Sequence, residues 1–543
     1  MTESCNTPMG FSLGVFFGGA IASALAAYPY QQPINIKRRR DKEGMPMAKE
    51  PLQTRKALYE QAQQQGIEGR SSMSKAELAA ALERESFEDA HPVVATRIDT
   101  FRRLAEAVAA GEFVLRPRVL TGHDRRRHVR QCLREDHETR IAASSEEAEI
   151  KFDKLSDSLF SFFRGTALLF YRDMAGDDAW MPTVLTLGDV HPENFGVMPN
   201  ANNVPIFSVN DFDESYYAPF TWDIKRGAVG FMIAAETEGE LKRKQQVNIV
   251  RHFVQGYLED MQRLAREGTE QDEEMRYDNA PKLIRKLFKA ADENRAEWLA
   301  EDYLDETKSG FRSTEELVPI SSRRDEFQKI TDRLVKENDI EVPERAKGMR
   351  VKDVALRRGQ GTASLGLNRY YVLIEGPERD GTDDLIIEYK QARRSALSGL
   401  VPPSAFEMDT RAERISHAQT AHLVRGDVFY GHIEFDGLSY MSRERAPFRD
   451  DIDLEDLSKS EWKEYADICG RVLARVHALS DESGNIDYDI EPAIMNAIGP
   501  PALFTEDIVE FATEAADRVR RDHALFREDH ARGAFTQLDI VHR

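Results

Sequence analysis

Apolar positions return along this chain in two different rhythms. Residues 95–180 repeat them at the spacing of one buried helix face, and residues 225–340 do the same between charge runs. Residues 351–400 switch to strand patterning, and 405–540 return to helix, with a few strands near 425–445. Shorter apolar runs fall between these zones. "LTLGD" runs up to Asp189, and "FGVMP" and "VPIFSVN" read as two strands joined by "NANN", where Asn tolerates the left-handed conformation a tight turn needs. Tyr370–Glu375 and "DDLIIEYKQAR" read as a second pair, the latter carrying Lys390. Phe160–Met174 reads as a buried helix carrying Arg164, which needs either an ion-pair partner or a phosphate. "RPRVLTGHDRRRHVRQCLRED" is so charged that it reads as a solvated face, and "DEEMRYDNAPKLIRKLFKAADENRAEW" as an amphipathic surface segment. There is no internal repeat.

With 543 residues, 41% of them hydrophobic, the chain has material for two to four domains with sizeable cores. A net charge of −21 excludes general nucleic-acid coating, leaving room only for a local basic patch. Three distant cysteines, Cys5, Cys132 and Cys469, fit neither a disulfide framework nor a zinc cluster, so a reducing, cytoplasmic setting is expected. Phe11–Ala27 is apolar and is followed by Lys37 and Arg38–Arg40. It reads either as a short membrane anchor that keeps the rest cytoplasmic, or as a run upstream of a true start at Met45 or Met47.

Residues 28–51 form a polar linker, and Thr54–Glu83 reads as two short helices about a glycine-containing turn, with Ser72 or Ser74 capping the second and Glu77 in its first turns. This stretch resembles the SAP-type helix–extended–helix modules and the N-terminal part of transcription terminator Rho. That resemblance implies nucleic-acid contact through Arg55, Lys56, Arg70 and Lys75; the other reading is a solvated helical appendage.

The densest chemistry lies between Leu185 and Ser215, where Asp189, His191, Glu193, Asn194, Asp211, Asp213 and Glu214 sit among apolar runs. Converging carboxylates repel unless a cation is among them. The hairpin carries the chain out and back, returning Asp211 towards Asn194, and oxygen ligands of this kind suit magnesium bound with a nucleoside triphosphate. Asn194 and Asp211 are candidate metal ligands with Asp213, which together with Glu214 either binds a second ion or caps the next turn. His191 reads as a loop hydrogen-bonding residue or a metal ligand. Asp223, in "FTWDIKR", reads as a support that ties the loop in place. Further on, Gly359, Gly361 and Gly366 precede the strand pair with Lys390, so backbone amides and an ammonium could hold phosphates there. Glu413, with Glu407 competing, is the candidate acid to pair with Lys390.

Asp189 and Asn194 have the D-x-x-x-x-N spacing of kinase catalytic loops. "GDVHPEN", "NDFDES" and "TWDIKR" resemble the pattern of aminoglycoside phosphotransferases and choline kinases, with Leu187 where that pattern has a leading His. "FFRG", "GDVHPENFGV", "GTASLGLNRYYVLIEG" and "LARVHA" resemble, over roughly residues 95–535, an uncharacterised bacterial domain-of-unknown-function family with a kinase-like signature. The resemblance implies an α+β, protein-kinase-like two-lobed fold. "YADICGRVLARVHALS" resembles the helix that ordinarily precedes the catalytic loop, yet here it follows it, so the fold is expected to be circularly permuted.

The expected organisation is an apolar segment and linker (1–51), a helical module (52–86), a catalytic lobe with a helical insertion (95–345), a nucleotide lobe (346–450) and helices returning to the catalytic lobe (451–543). The expected activity is ATP- and magnesium-dependent phosphoryl transfer to an unidentified hydroxyl acceptor, with Asp189 and Lys390 catalytic. Nucleotidyl (AMP) transfer on the same fold, and a non-catalytic nucleotide-sensing or nucleic-acid-binding scaffold, are the alternatives.

Overall fold

A computed structural model describes residues 97–535, apart from 144, 292–293, 347, 359–366, 379, 403–410, 449 and 483–484, together with the isolated positions 56, 58, 59 and 63. The apolar run 11–27, nearly all of the module 52–86, Glu407 and the glycines Gly359, Gly361 and Gly366 lie outside the described residues. Among those described, no helix is long and apolar enough to cross a membrane.

The first part is helical: α1 (Ile98–Ala109), α2 (Gly122–Ala143), α3 (Ser145–Asp157), α4 (Leu159–Gly165) and α5 (Ala167–Asp173). The run expected as one helix over Phe160–Met174 is thus two. Thr166 leaves helical geometry at φ −128°, ψ 40°, and a Cβ at Gly165 would lie 2.4 Å from Leu155 of α3. The Thr166 hydroxyl donates to the Phe162 carbonyl at 2.7 Å, satisfying an acceptor at the break. The basic stretch expected to be solvated is instead partly buried in α2. Its Arg125 is 4% exposed and donates to both Asp173 and Asp522, so partners far along the chain make its burial tolerable.

Next come β1 (Thr183–Thr186), β2 (Phe195–Pro199), β3 (Pro205–Val209) and β4 (Tyr216–Pro219), then α6 (Thr221–Thr237) and α7 (Arg243–Glu267). β2 and β3 form the anticipated hairpin. Asn200 Oδ1 accepts from the amides of Asn202 and Val204, both at 3.0 Å, and Asn203 takes φ +61°. α6 is apolar on nearly every side and is buried accordingly. There follow α8 (Lys282–Ala290), α9 (Arg295–Trp298), β5 (Leu317–Pro319), α10 (Arg324–Glu337), β6 (Val351–Arg357), β7 (Arg369–Ile374), β8 (Leu385–Gln391), α11 (Ala412–His422), β9 (Gly431–Phe435), β10 (Leu438–Arg445) and β11 (Asp450–Asp451). The last described elements are α12 (Lys459–Ala478), α13 (Ile490–Ile498) and α14 (Pro501–His530). The result is mixed helix and sheet, as the patterning required.

Six strands form one antiparallel sheet in the order β5-β6-β7-β8-β10-β9. Its centre is covered on both faces, which explains why β7 reads as a continuous apolar run. Tyr370, Val372 and Ile374 pack with Phe327 of α10, while Tyr371 and Leu373 pack on the opposite face with Leu299 and Tyr303. Elsewhere β11, β2 and β3 form a small sheet, and β1 pairs with β4. α7 and α12 approach backbone to backbone: a Cβ at Gly256 would be 2.2 Å from the Asp467 carbonyl oxygen, and one at Gly470 would be 2.1 Å from that of Phe253. This close contact fixes α12 beneath the loop that follows β1.

Candidate functional site

The loop after β1 is held from below by buried polar groups. Asp223, one turn into α6 and fully buried, accepts from the backbone amides of Leu187 at 2.7 Å and Gly188 at 2.9 Å. His477 of α12 places Nε2 3.2 Å from the same carboxylate, and the Tyr257 hydroxyl is 2.9 Å from its Nδ1. Because a carboxylate only accepts, His477 donates through Nε2 and receives the tyrosine proton at Nδ1. Tyr465, also on α12, donates to the Pro192 carbonyl at 2.6 Å. Gly188 turns the chain at φ +75°, and a Cβ there would lie 2.2 Å from the Glu214 carbonyl oxygen, so this turn requires glycine. The supporting role expected of Asp223 is the one observed.

This clamp presents Asp189. Its Oδ1 accepts from Arg226 Nε at 2.9 Å and from a terminal guanidinium nitrogen at 2.6 Å. Arg226 is fully buried, stacks on Phe163 with its guanidinium carbon 3.9 Å from the ring centroid, and also donates to the Phe163 carbonyl. Burial pushes the Asp189 carboxyl up and outweighs the opposing pull of Arg226, leaving it at about 6. His191 is buried against Phe160, and desolvation holds it neutral, well below its ordinary range. Its Nδ1 has no hydrogen-bond partner among the described residues. Asn194 donates through Nδ2 to the Asp189 carbonyl at 2.6 Å, which leaves its amide oxygen to the cleft.

The hairpin brings Asp211 back to this point: the Asn210 amide donates to the Asn194 carbonyl at 3.1 Å. Asp211 Oδ1 accepts from the Asp213 amide at 3.1 Å, and among the described residues Asp211 makes no ion pair. The other acids find protein cations. Glu193 pairs with Arg164, Glu214 with Arg393 at 2.6 Å, and Asp213 with Lys390 of β8. Burial would raise the Asp213 carboxyl, but the Lys390 ammonium overrides it and holds it low. The charges expected to need an inorganic cation are therefore largely neutralised by Arg and Lys side chains, with Asp211 the exception. Glu214 also accepts from the Ala396 amide, 182 positions along the chain, and not from the turn that follows it.

Asn194, Asp211, Asp213, Lys390, Gln419 and Arg443 line one cleft of about 400 Å³ between the hairpin and the strands β8 and β10. Glu413 is not part of it. Lys390 is already paired with Asp213, and Glu413 lies on the exposed side of α11, whose buried positions include Ile415, Ser416 and Gln419. Helix phase thus turns Gln419 inward where Glu413 was anticipated. Both amide atoms of Gln419 lack hydrogen-bond partners among the described residues, although the residue is 1% exposed. Arg164, at 30% side-chain exposure, stands at the rim; the deeply buried arginine of the Phe160–Met174 run is Arg172, bound to Glu135. Arg226 and Gln419 were not anticipated as site residues. The "WDIKR" string carries Arg226 next to Asp223, but no spacing rule points it at Asp189.

A mixed helix–sheet scaffold thus presents an acid, an amide and a lysine in one cleft. The chain belongs to DUF2252, a family of uncharacterized proteins conserved in bacteria, whose profile matches residues 144–529. No curated protein and no solved structure matches it.

Proposed function

We propose that this chain is a kinase-like phosphotransferase using ATP and magnesium on a hydroxyl acceptor, in a circularly permuted two-lobed fold. The observation that carries the reading is the pairing of Lys390 with Asp213, 177 positions apart, inside the cleft that also holds Asn194 and Asp211. A strand lysine and an acidic hairpin facing one another across a cavity of this size suit a triphosphate with its metal. The Asn194 amide oxygen and the Asp211 carboxylate are hard oxygen donors that make no ion pair among the described residues, and they fit magnesium. Asp213 is shared with Lys390, so it contributes at most its second oxygen. Permutation is supported where the chain after α12 meets β1. Ser480 Oγ accepts from the Leu185 amide at 3.1 Å, and the Tyr488 hydroxyl donates to the Thr183 carbonyl at 2.7 Å.

In this reading Asp189 takes the acceptor proton as the acceptor oxygen bonds to the γ-phosphorus. The bond to the bridging oxygen breaks, and ADP leaves with its electron pair. Arg226 fixes the carboxylate and the Asp223 clamp fixes the loop, so most of the rate comes from positioning and charge neutralisation. Calorimetry with ATP, with and without magnesium, tests it: metal-dependent binding to the full chain is expected, lost in Asp211→Ala and retained in Asp189→Asn. Equal heats for wild type and Asp211→Ala would remove the reading. The mass added to an acceptor separates phosphoryl from AMP transfer.

A further inference from the structure

Resting on the phosphotransferase reading above, we propose that Lys151 binds a non-bridging oxygen of the phosphoryl group in transit. Lys151 lies on α3, in the helical part outside the clamp, the hairpin and the sheet. Its side chain is 1% exposed, yet it makes neither a hydrogen bond nor an ion pair among the described residues. The nearby acids are engaged elsewhere: Asp136 and Glu214 both pair with Arg393, at 2.9 Å and 2.6 Å. A buried ammonium without an anion is costly, and folds rarely keep one without a use.

Its surroundings say what anion it awaits. Lys151 lines a recess shared with Asp189, Asn194, Asp211, Asp213 and Arg164, so it opens on the groups that hold the acceptor proton and the metal. Free space there is about 10 Å³, room for a water-sized oxygen and not for a bulky substrate group. Burial, with Arg140 and Arg393 close by, pulls the amine well below its ordinary range, and an arriving phosphoryl oxygen would reverse this by supplying the missing counter-charge. Arg164 and Arg393 already hold carboxylates, which leaves Lys151 as the cation of this recess that makes no ion pair among the described residues, with Asp136 and Glu214 acting on it only from a distance.

The test uses aluminium fluoride, a mimic of the phosphoryl group in transit, added to the full chain with MgADP and followed by thermal shift. Wild type is expected to gain stability with MgADP and a further increment with aluminium fluoride. Lys151→Met is expected to keep the MgADP shift and lose the increment, while its ligand-free Tm stays level or rises because a buried amine without a hydrogen-bond partner has gone. Lys151→Arg is expected to recover part of the increment. An increment retained in Lys151→Met, or none in wild type, would overturn the role of Lys151 while leaving nucleotide binding intact; should Lys151→Met not fold, an undiminished increment in Lys151→Gln would overturn it equally. Absence of any MgADP shift in wild type would instead bring down the phosphotransferase reading, and this inference with it.

Discussion

Two regions of this molecule bury charge to similar depth and treat it in opposite ways. In the helical flank, Arg125 of α2 holds Asp173 of α5 at 2.7 Å and Asp522 of α14 at 2.6 Å, and Arg518 adds a contact to Asp173 at 2.9 Å. These groups are spoken for within the chain, and their role is to fasten α2, α5 and α14. Around the cleft, Lys151 and Asp211 make no ion pair among the described residues, and both amide atoms of Gln419 lack a hydrogen-bond partner there. A fold able to satisfy Arg125 so fully could have satisfied these as well. Paired burial of this kind fastens elements together, whereas the unpaired groups beside the cleft are open to a ligand.

The sharpest way to break the comparison is Asp189→Asn. The geometry with Asn194 and the clamp is retained, so nucleotide affinity is expected to stay level while ATP turnover falls on the order of 10²–10⁴-fold, as for loss of a general base. A drop in affinity with unchanged turnover, measured by calorimetry beside steady-state rates, would show that Asp189 belongs with the paired, architectural group.

Arg125→Leu should do the reverse. It strands Asp173 and Asp522 and is expected to cost about 3–5 kcal/mol in chemical denaturation, with nucleotide binding per folded molecule unchanged. A loss under about 1 kcal/mol would mean that the buried pairs of the flank are not what fastens it.

The pH dependence should separate the regions by direction. The Asp189 carboxyl is raised to about 6 by burial, so activity is expected to climb through that pH as the base form appears. Stability moves the other way. A folded pKa above the unfolded value near 4 gives a contribution present at low pH and lost as pH rises through about 6, and Asp189→Asn should flatten that loss. The Asp213 carboxyl is lowered in the fold, so its contribution with Lys390 is present above the unfolded value and lost as pH falls below it. Melting temperature against pH for wild type and Asp189→Asn reads both trends.

The smallest effect is expected from Gln419→Leu. Replacing an amide without partners should leave ligand-free stability within about 1 kcal/mol or raise it slightly, while weakening ATP binding by the order of one hydrogen bond, up to roughly tenfold. A large loss of stability would place Gln419 in the architectural class.

Much of the site was legible from residue order because it is local. Asp189, Asn194, the Asn-rich turn and Asp211 lie within one hairpin, and the backbone rules of turns and strands fix their relation. Asp223 follows closely enough that its place at the start of α6 brings it under the loop. The partners were not legible. Nothing in the order of residues says that Arg226 meets Asp189, or that α11 turns Gln419 inward and Glu413 out, or that a stretch as basic as Arg116–Asp136 is half buried.

Residue order was enough to read the alternation of helix and sheet and to single out an acid, an amide and a lysine as candidates, because each follows from the spacing of neighbouring side chains. Tertiary structure alone decided which charges are neutralised within the chain. Arg125 finds Asp522 397 positions away and Lys390 finds Asp213 across 177, and ion pairing at such separations depends on where whole elements dock. It also left Lys151 and Asp211 without an ion pair among the described residues, which only the docking of whole elements could reveal.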